Sequence, residues 1–184
     1  FGYCLLFTIF CLLIASCDDR KSMLPTSGGR PYEVTVVGDV DSILYKTLSI
    51  DVEGLPQSEP MFDVRETDVK PTDALTGVLR YARSLIVVDI NPKKYEKLRL
   101  ECKRNMYAEP QLIVRICTPS VQCLHDTTPD GTALQGNAHT LAKLLKAHES
   151  KAYIETLQHK HNPKMEAEVK RMFGFDIPIP ADMK

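Results

Sequence analysis

Two aspartates, Asp39 and Asp89, occupy positions where an α/β protein could carry out binding chemistry. Each comes at the end of an apolar, β-branched run of the kind that forms a buried strand. Because ligands bind outside the carboxyl ends of parallel strands, the two carboxylates could line a polar crevice. The alternative is structural: Asp39 caps or turns into the first helix, and Asp89 makes an Asx-turn into Asn91.

The histidines, cysteines and serines add no catalytic or metal-binding motif. His159 and His161 fall between two predicted helices, where this spacing does not bring two ligands together. Cys123 and His125 are close in sequence, whereas catalytic Cys/His pairs usually come from distant segments. No HExxH or Gly-x-Ser-x-Gly motif is present. We therefore predict no catalytic residue, no metal site and no cofactor, and we do not expect an enzyme.

Cys17 is the residue for which the sequence predicts a specific modification. Residues 1–16 contain no charged residue and are mostly Leu, Ile, Phe and Cys. This run is shorter than the ~20 apolar residues of a membrane-spanning helix, and it has the shape of a signal-peptide core. Residues 14–17 (Ile-Ala-Ser-Cys) resemble a bacterial lipobox, which implies a lipid on the Cys17 thiol and cleavage before it. The alternatives are an ordinary secretory signal cut near Ser16 and a short buried helix.

Three segments follow from this interpretation. Residues 1–16 form the signal peptide, residues 17–31 a polar, lipidated tether, and residues 32–184 a single α/β domain. A signal peptide starts with a basic segment, so a chain that begins at Phe1 without one is expected to lack its true start. The lipid would hold the domain on a membrane of the cell envelope. We predict the outer membrane, on a face that the sequence leaves open.

The composition is ordinary for one globular domain and gives no reason to expect nucleic-acid binding. The 184 residues are 43% hydrophobic and 26% charged, and the net charge is −1. A net charge near zero provides no electrostatic attraction to a phosphate backbone.

Hydrophobic patterning predicts an α/β (α+β) fold, in which helices pack on a mixed β-sheet. The run at residues 84–90 is the most apolar after the signal peptide and is predicted to be the central strand. The other predicted elements are a strand at 32–37, a helix around 43–48, a strand at 60–64, a helix at 71–82, a hairpin from 98–102 and 111–118, two or three helices, and an edge strand at 177–179.

The hairpin decides whether two of the three remaining cysteines can pair. If residues 105–110 form its loop, Cys102 faces Ile113 and Cys117 faces Leu98. The two cysteines are then four residues apart along the strands, or about 13 Å, whereas a disulfide needs Cα atoms within ~7 Å. We therefore predict that Cys102, Cys117 and Cys123 are all free thiols.

Several short strings carry a family resemblance. They are residues 29–34, 54–57, 59–64, 86–92, 110–114, 170–175 and 179–180. Together they resemble an envelope lipoprotein family known as a domain of unknown function (4837 type). The resemblance covers nearly all of the chain after Cys17. It implies a lipoprotein without an assigned activity and a second half that continues beyond Lys184.

The sequence favours a lipid-anchored bacterial envelope protein that binds or scaffolds. Its expected partners are the membrane, through the lipid, and an envelope protein. One alternative is a hydrolase or glycan-processing enzyme whose site is completed by a missing C-terminal half. Another is a small-ligand binding lipoprotein, which a deep apolar pocket would indicate.

We predict that Cys17→Ala abolishes acylation and releases the protein from the membrane fraction or misplaces it there. The reason is that the thiol is the group that accepts the lipid, and several acyl chains give stable anchoring. Mass spectrometry of the mature N-terminal peptide checks this, with Cys102→Ala as the control. An unchanged acyl mass on the Cys17→Ala protein would contradict the anchor.

Overall fold

The computed structural model describes residues 24–52, 56–125 and 134–183, and a five-stranded sheet lies at their centre. The strands are β1 (Glu33–Val37), β2 (Asp63–Thr67), β3 (Ser84–Ile90), β4 (Arg99–Arg104) and β5 (Leu112–Thr118). Their order across the sheet is β2-β1-β3-β5-β4, and only β4 is antiparallel to its neighbour. The predicted mixed sheet, with β3 as the central strand, is confirmed.

Helices cover one face of this sheet, which we call the helix face. They are α1 (Ile43–Leu48), α2 (Gln122–His125) and α3 (Leu134–His159), and a fourth helix, α4 (Pro163–Phe173), follows α3. Leu44, Leu124 and Leu141 pack there on strand residues such as Ile86 and Val114. β3 and β5 are buried on both faces. Their sequences are therefore nearly continuous apolar runs, as is usual for strands of a parallel sheet that is covered on both sides.

The opposite face, which we call the loop face, is covered by the segment between β2 and β3. Ala74 and Leu79 pack there on strand residues that include Val37 and Val87. The sequence predicts a helix at residues 71–82, but the segment consists of turns that end in a 3₁₀ helix, Val78–Tyr81. Thr and Gly are weak helix formers, and the Thr76 hydroxyl donates to the backbone carbonyl of Asp73 in one of these turns.

The structure also differs from the predictions at the two ends of the described chain. Ser27 and Gly28, in the predicted tether, hydrogen-bond through their backbone N–H groups to the carbonyls of Glu109 and Tyr81. The predicted edge strand at 177–179 was wrong: these residues form no strand, and the isolated bridge between His161 and Pro180 lies one residue further on. Prolines lack the N–H that a strand ladder needs. Cys17 and most of the predicted interruption at 127–136 lie outside the described residues.

The hairpin between β4 and β5 is confirmed, but its predicted register was wrong by one residue. Cys102 pairs with Val114 and Cys117 with Arg99. Asn105 and Gln111 close the loop, because the Asn105 N–H donates to the Gln111 carbonyl and the Asn105 side chain accepts from the Gln111 N–H. The two cysteines are three residues apart along the strands, or about 10 Å. Cys102, Cys117 and Cys123 are free, as predicted.

A buried ion pair attaches α3 to the sheet at the start of β3. The Nε and Nη2 atoms of Arg83 each lie 2.9 Å from Glu149 Oε2. The Ser84 hydroxyl donates to Glu149 Oε1 at 3.4 Å. Because Glu149 is only 2% exposed, these contacts replace the water that would otherwise surround its carboxylate.

We predict that Ile86→Asp unfolds the domain. Ile86 is fully buried in β3 and pairs with Val36 and Val114 on either side, so the new carboxylate would have no partner. An unpaired buried charge costs about 5 kcal/mol, which is comparable to the whole stability of a domain. Thermal unfolding followed by circular dichroism measures the effect. Val78→Asp is the control, because Val78 is 84% exposed; equal melting temperatures for the two variants would contradict the central position of β3.

Candidate functional site

Asp39 caps the first helix. It follows Gly38, which adopts a left-handed conformation at φ 77° and leads the chain out of β1. Asp39 Oδ1 accepts from the Leu44 N–H at 3.0 Å, and Oδ2 accepts from the Tyr45 N–H at 2.9 Å. Burial raises the pKa of Asp39 above its ordinary value, and these two hydrogen bonds oppose the rise. Both carboxylate oxygens therefore hold the start of α1, which is the structural alternative given above.

Asp89 binds a buried tyrosine in the loop after β3. The Tyr95 hydroxyl donates to Asp89 Oδ2 at 2.6 Å, and Lys94 Nζ lies 3.5 Å from the same oxygen. Burial raises the pKa of Tyr95, and the hydrogen bond to Asp89 adds to the rise. The predicted Asx-turn is formed by Asn91 instead, since its side-chain oxygen accepts from the Lys93 N–H.

Asp39 and Asp89 follow each other across the neighbouring strands β1 and β3, but their carboxylates are not directed into one crevice. Asp39 caps α1, which packs on the helix face through Leu44. Side chains alternate along a strand, so Asp89 shares the loop face with Val87. The two carboxylates thus belong to opposite sides of the sheet, and each is engaged by its own neighbours.

A cavity of about 420 Å³ lies at another place, between α3, α4 and the C-terminal segment 176–178. Ile154 and Ile177 are 54% and 45% exposed, so the cavity is open to solvent. Its apolar walls are Ile154, Leu157, Ile177 and Pro178, and its polar groups are Gln158, His161, Glu166 and Asp176.

The ends of α4 turn the chain so that it forms this cavity. The Asn162 side chain accepts from the Met165 N–H at 3.2 Å, and Pro163 occupies the first helical position, as predicted. Gly174 ends the helix in the left-handed conformation, at φ 77°. Helix α4 therefore starts one turn after α3 ends, and the chain turns again at Gly174.

Glu166 fastens the C-terminal segment across the joint between α3 and α4. It accepts from the backbone N–H of Ile179 at 3.0 Å and lies 3.0 Å from His161 Nδ1. The Asn162 N–H donates to the Ile179 carbonyl at 2.8 Å. The bond from Ile179 is the main reason that the pKa of Glu166 is lowered, and the bond to His161 adds to it. We call these contacts the Glu166 clamp.

Only part of this cavity has a signal in the sequence. Of the two neighbouring histidines, His161 lines the cavity and His159 does not. The apolar stripe of α4 was visible in the sequence, and Met172 and Phe173 on it are 55% and 66% exposed. Glu166, Asp176 and Gln158 lie in no motif, because contacts between distant segments bring them together.

Two further properties concern the described residues as a whole. Within residues 24–52, 56–125 and 134–183, no group of three or more His, Cys, Asp or Glu side chains could hold a metal ion. In the same ranges, no helix has both the length and the apolar character needed to cross a bilayer.

A family model described as Domain of unknown function (DUF8532) matches residues 27–158, more than two thirds of the chain. This match overturns the resemblance to the envelope lipoprotein family of the 4837 type, which was wrong. The strings behind that resemblance combine turn residues with β-branched runs, a combination that many sheet proteins share. No curated protein and no solved structure matches the chain.

We predict that Glu166→Ala lowers the hydrogen-exchange protection of the Ile179 amide by about tenfold at pH 7, because a charge-assisted hydrogen bond is lost. The lowered pKa of Glu166 sets the pH dependence: the clamp is complete above the ordinary value of 4.5 and weakens as the pH falls through the lower folded value. Glu168→Ala, on the same helix, is the control. Equal protection of Ile179 in both variants would rule out the Glu166 clamp.

Proposed function

The chain belongs to the family described as Domain of unknown function (DUF8532), and within this family we propose, on the cavity described above, that it is a binding protein rather than an enzyme. Its ligand is a small apolar molecule that enters the cavity between α3, α4 and the C-terminal segment. The observation that carries this proposal is the cavity itself. At about 420 Å³, with apolar walls and a few polar groups, it has the size and lining of a small-molecule site, for which ~300–1,000 Å³ is usual.

The family model matches one wall of the cavity and ends before the other. Ile154, Leu157 and Gln158 lie within the part of the chain that the family model matches. Glu166 and Asp176 lie after residue 158, where the match ends. The wall on α3 is therefore part of the shared domain, and both carboxylates come from the segment that follows it.

A lipid anchor at Cys17 is the second part of the proposal, and it places the protein on a membrane of the bacterial envelope. The lipobox-like string at residues 14–17 supports it. Pro25 already accepts a hydrogen bond from Glu109, so only seven residues lie between Cys17 and a residue that is held on the fold. Fully extended, the eight Cα–Cα steps from Cys17 to Pro25 span at most about 28 Å. The domain would then stay next to the membrane, where apolar ligands accumulate.

Binding of the neutral fluorescent probe N-phenyl-1-naphthylamine tests the cavity. We expect the probe to bind, and Ile154→Ser to weaken binding about fivefold, because a half-buried isoleucine contributes about 1 kcal/mol of apolar contact. Tyr153→Ser is the matched control: Tyr153 is 55% exposed, next to Ile154, and does not line the cavity.

A fluorescence titration of both variants and the unchanged protein gives the three dissociation constants. Absence of binding to the unchanged protein would overturn the proposal. So would an equal affinity of the two variants, since the probe would then bind elsewhere.

A further inference from the structure

The polar part of the cavity lining consists mainly of hydrogen-bond acceptors. Glu166 and Asp176 contribute carboxylates, and no Lys or Arg is among the described residues that line the cavity. The pKa of Glu166 is lowered by its bond from the Ile179 N–H, so this carboxylate is ionised at neutral pH. A ligand with an anionic head would meet two like charges there.

His161 adds a third acceptor when its ring is neutral. Its Nδ1 atom lies 3.0 Å from Glu166 Oε2, and an ionised carboxylate can only accept. The proton of the neutral ring is therefore assigned to Nδ1, which leaves a lone pair on Nε2. Nε2 has no hydrogen-bond partner in the described part of the chain, so it is available to accept from a ligand.

Asp176 has a partner that a ligand can replace. Lys170 Nζ lies 2.9 Å from Asp176 Oδ1, and the two side chains are 61% and 78% exposed. Exposed ion pairs of this kind contribute only about 0–1 kcal/mol. An ammonium group that is held in place by apolar contacts can therefore compete with Lys170 for the carboxylate.

We propose that the cavity selects apolar ligands that carry a protonated amine. The apolar body contacts Ile154, Leu157 and Ile177, and the ammonium head donates to His161 and to the carboxylates of Glu166 and Asp176. This inference rests on the proposed function and adds the chemical class of the ligand's head group.

Competition against N-phenyl-1-naphthylamine with three six-carbon probes tests the head group. The probes are hexylammonium, hexanol and hexanoate, which share one apolar chain and differ in charge. At neutral pH and low salt, we expect hexylammonium to displace the dye at about a tenfold lower concentration than hexanol, with hexanoate weakest of the three. The preference for hexylammonium should shrink at high salt, because the carboxylates are partly exposed.

Two charge-removing variants connect the preference to the cavity. Asp176→Asn should lower the preference for hexylammonium over hexanol about threefold. Glu168→Gln removes one charge from α4 outside the cavity lining, and it should leave this preference unchanged.

The outcomes separate this inference from the proposed function. Dye binding that is sensitive to Ile154→Ser, together with hexanoate or hexanol competing as well as hexylammonium, would overturn the amine specificity and leave the apolar site standing. An equal loss of preference in Asp176→Asn and Glu168→Gln would also overturn it, because the effect would then be one of net charge. No dye binding at all would overturn both.

Discussion

The ion pair between Arg83 and Glu149 is the contact on which the rest of the structure depends. It fixes the position of α3 along the sheet, because Arg83 immediately precedes β3 and Glu149 lies in the middle of the helix. Loss of one partner would leave a buried charge, which costs about 3–5 kcal/mol. The same position of α3 buries the Nε2 atom of the neighbouring His148, which has no hydrogen-bond partner in the described residues. An unpaired buried polar atom is unfavourable, so the ion pair offsets this cost. Ile154 and Leu157 lie five and eight residues further on, so one side of the cavity is placed about 8–12 Å from the ion pair by the rise of a single helix.

The parts of the fold that could be predicted are those in which local sequence and burial agree. The runs of β3 and β5 are apolar throughout, since both faces of these strands are covered. Helix α4 has Asn, Pro and Gly at its ends, in the positions that stabilise a helix start and stop. The apolar residues at 71–82 have helical spacing and so predict a helix, which was wrong. They pack on the loop face from successive turns, and spacing alone does not distinguish the two arrangements.

The candidate site could be predicted only in part, for a different reason. The apolar runs predict Asp39 and Asp89 at the ends of two strands, and Asp39 does follow β1 while Asp89 lies near the end of β3. Their side chains, however, point in different directions. The chain turns at Gly38, so Asp39 faces α1, whereas Asp89 is still part of β3 and follows the alternation of that strand. The cavity depends on the hydrogen bond between Glu166 and Ile179, thirteen residues apart in an irregular segment. No periodic pattern encodes such a contact. The caps of α4 can therefore be predicted from the sequence, but the return of the chain across the helix cannot.

The order of strands leaves β2 and β4 at the two edges of the sheet, where unpaired backbone groups face outward. Exposed edges of this kind can recruit a strand from another molecule, and charged side chains are a common protection. β4 carries Arg99, Glu101, Lys103 and Arg104, and β2 carries Asp63, Arg65 and Glu66. These charged edges therefore oppose the fusion of sheets from two copies into a continuous aggregate, however concentrated the molecules become.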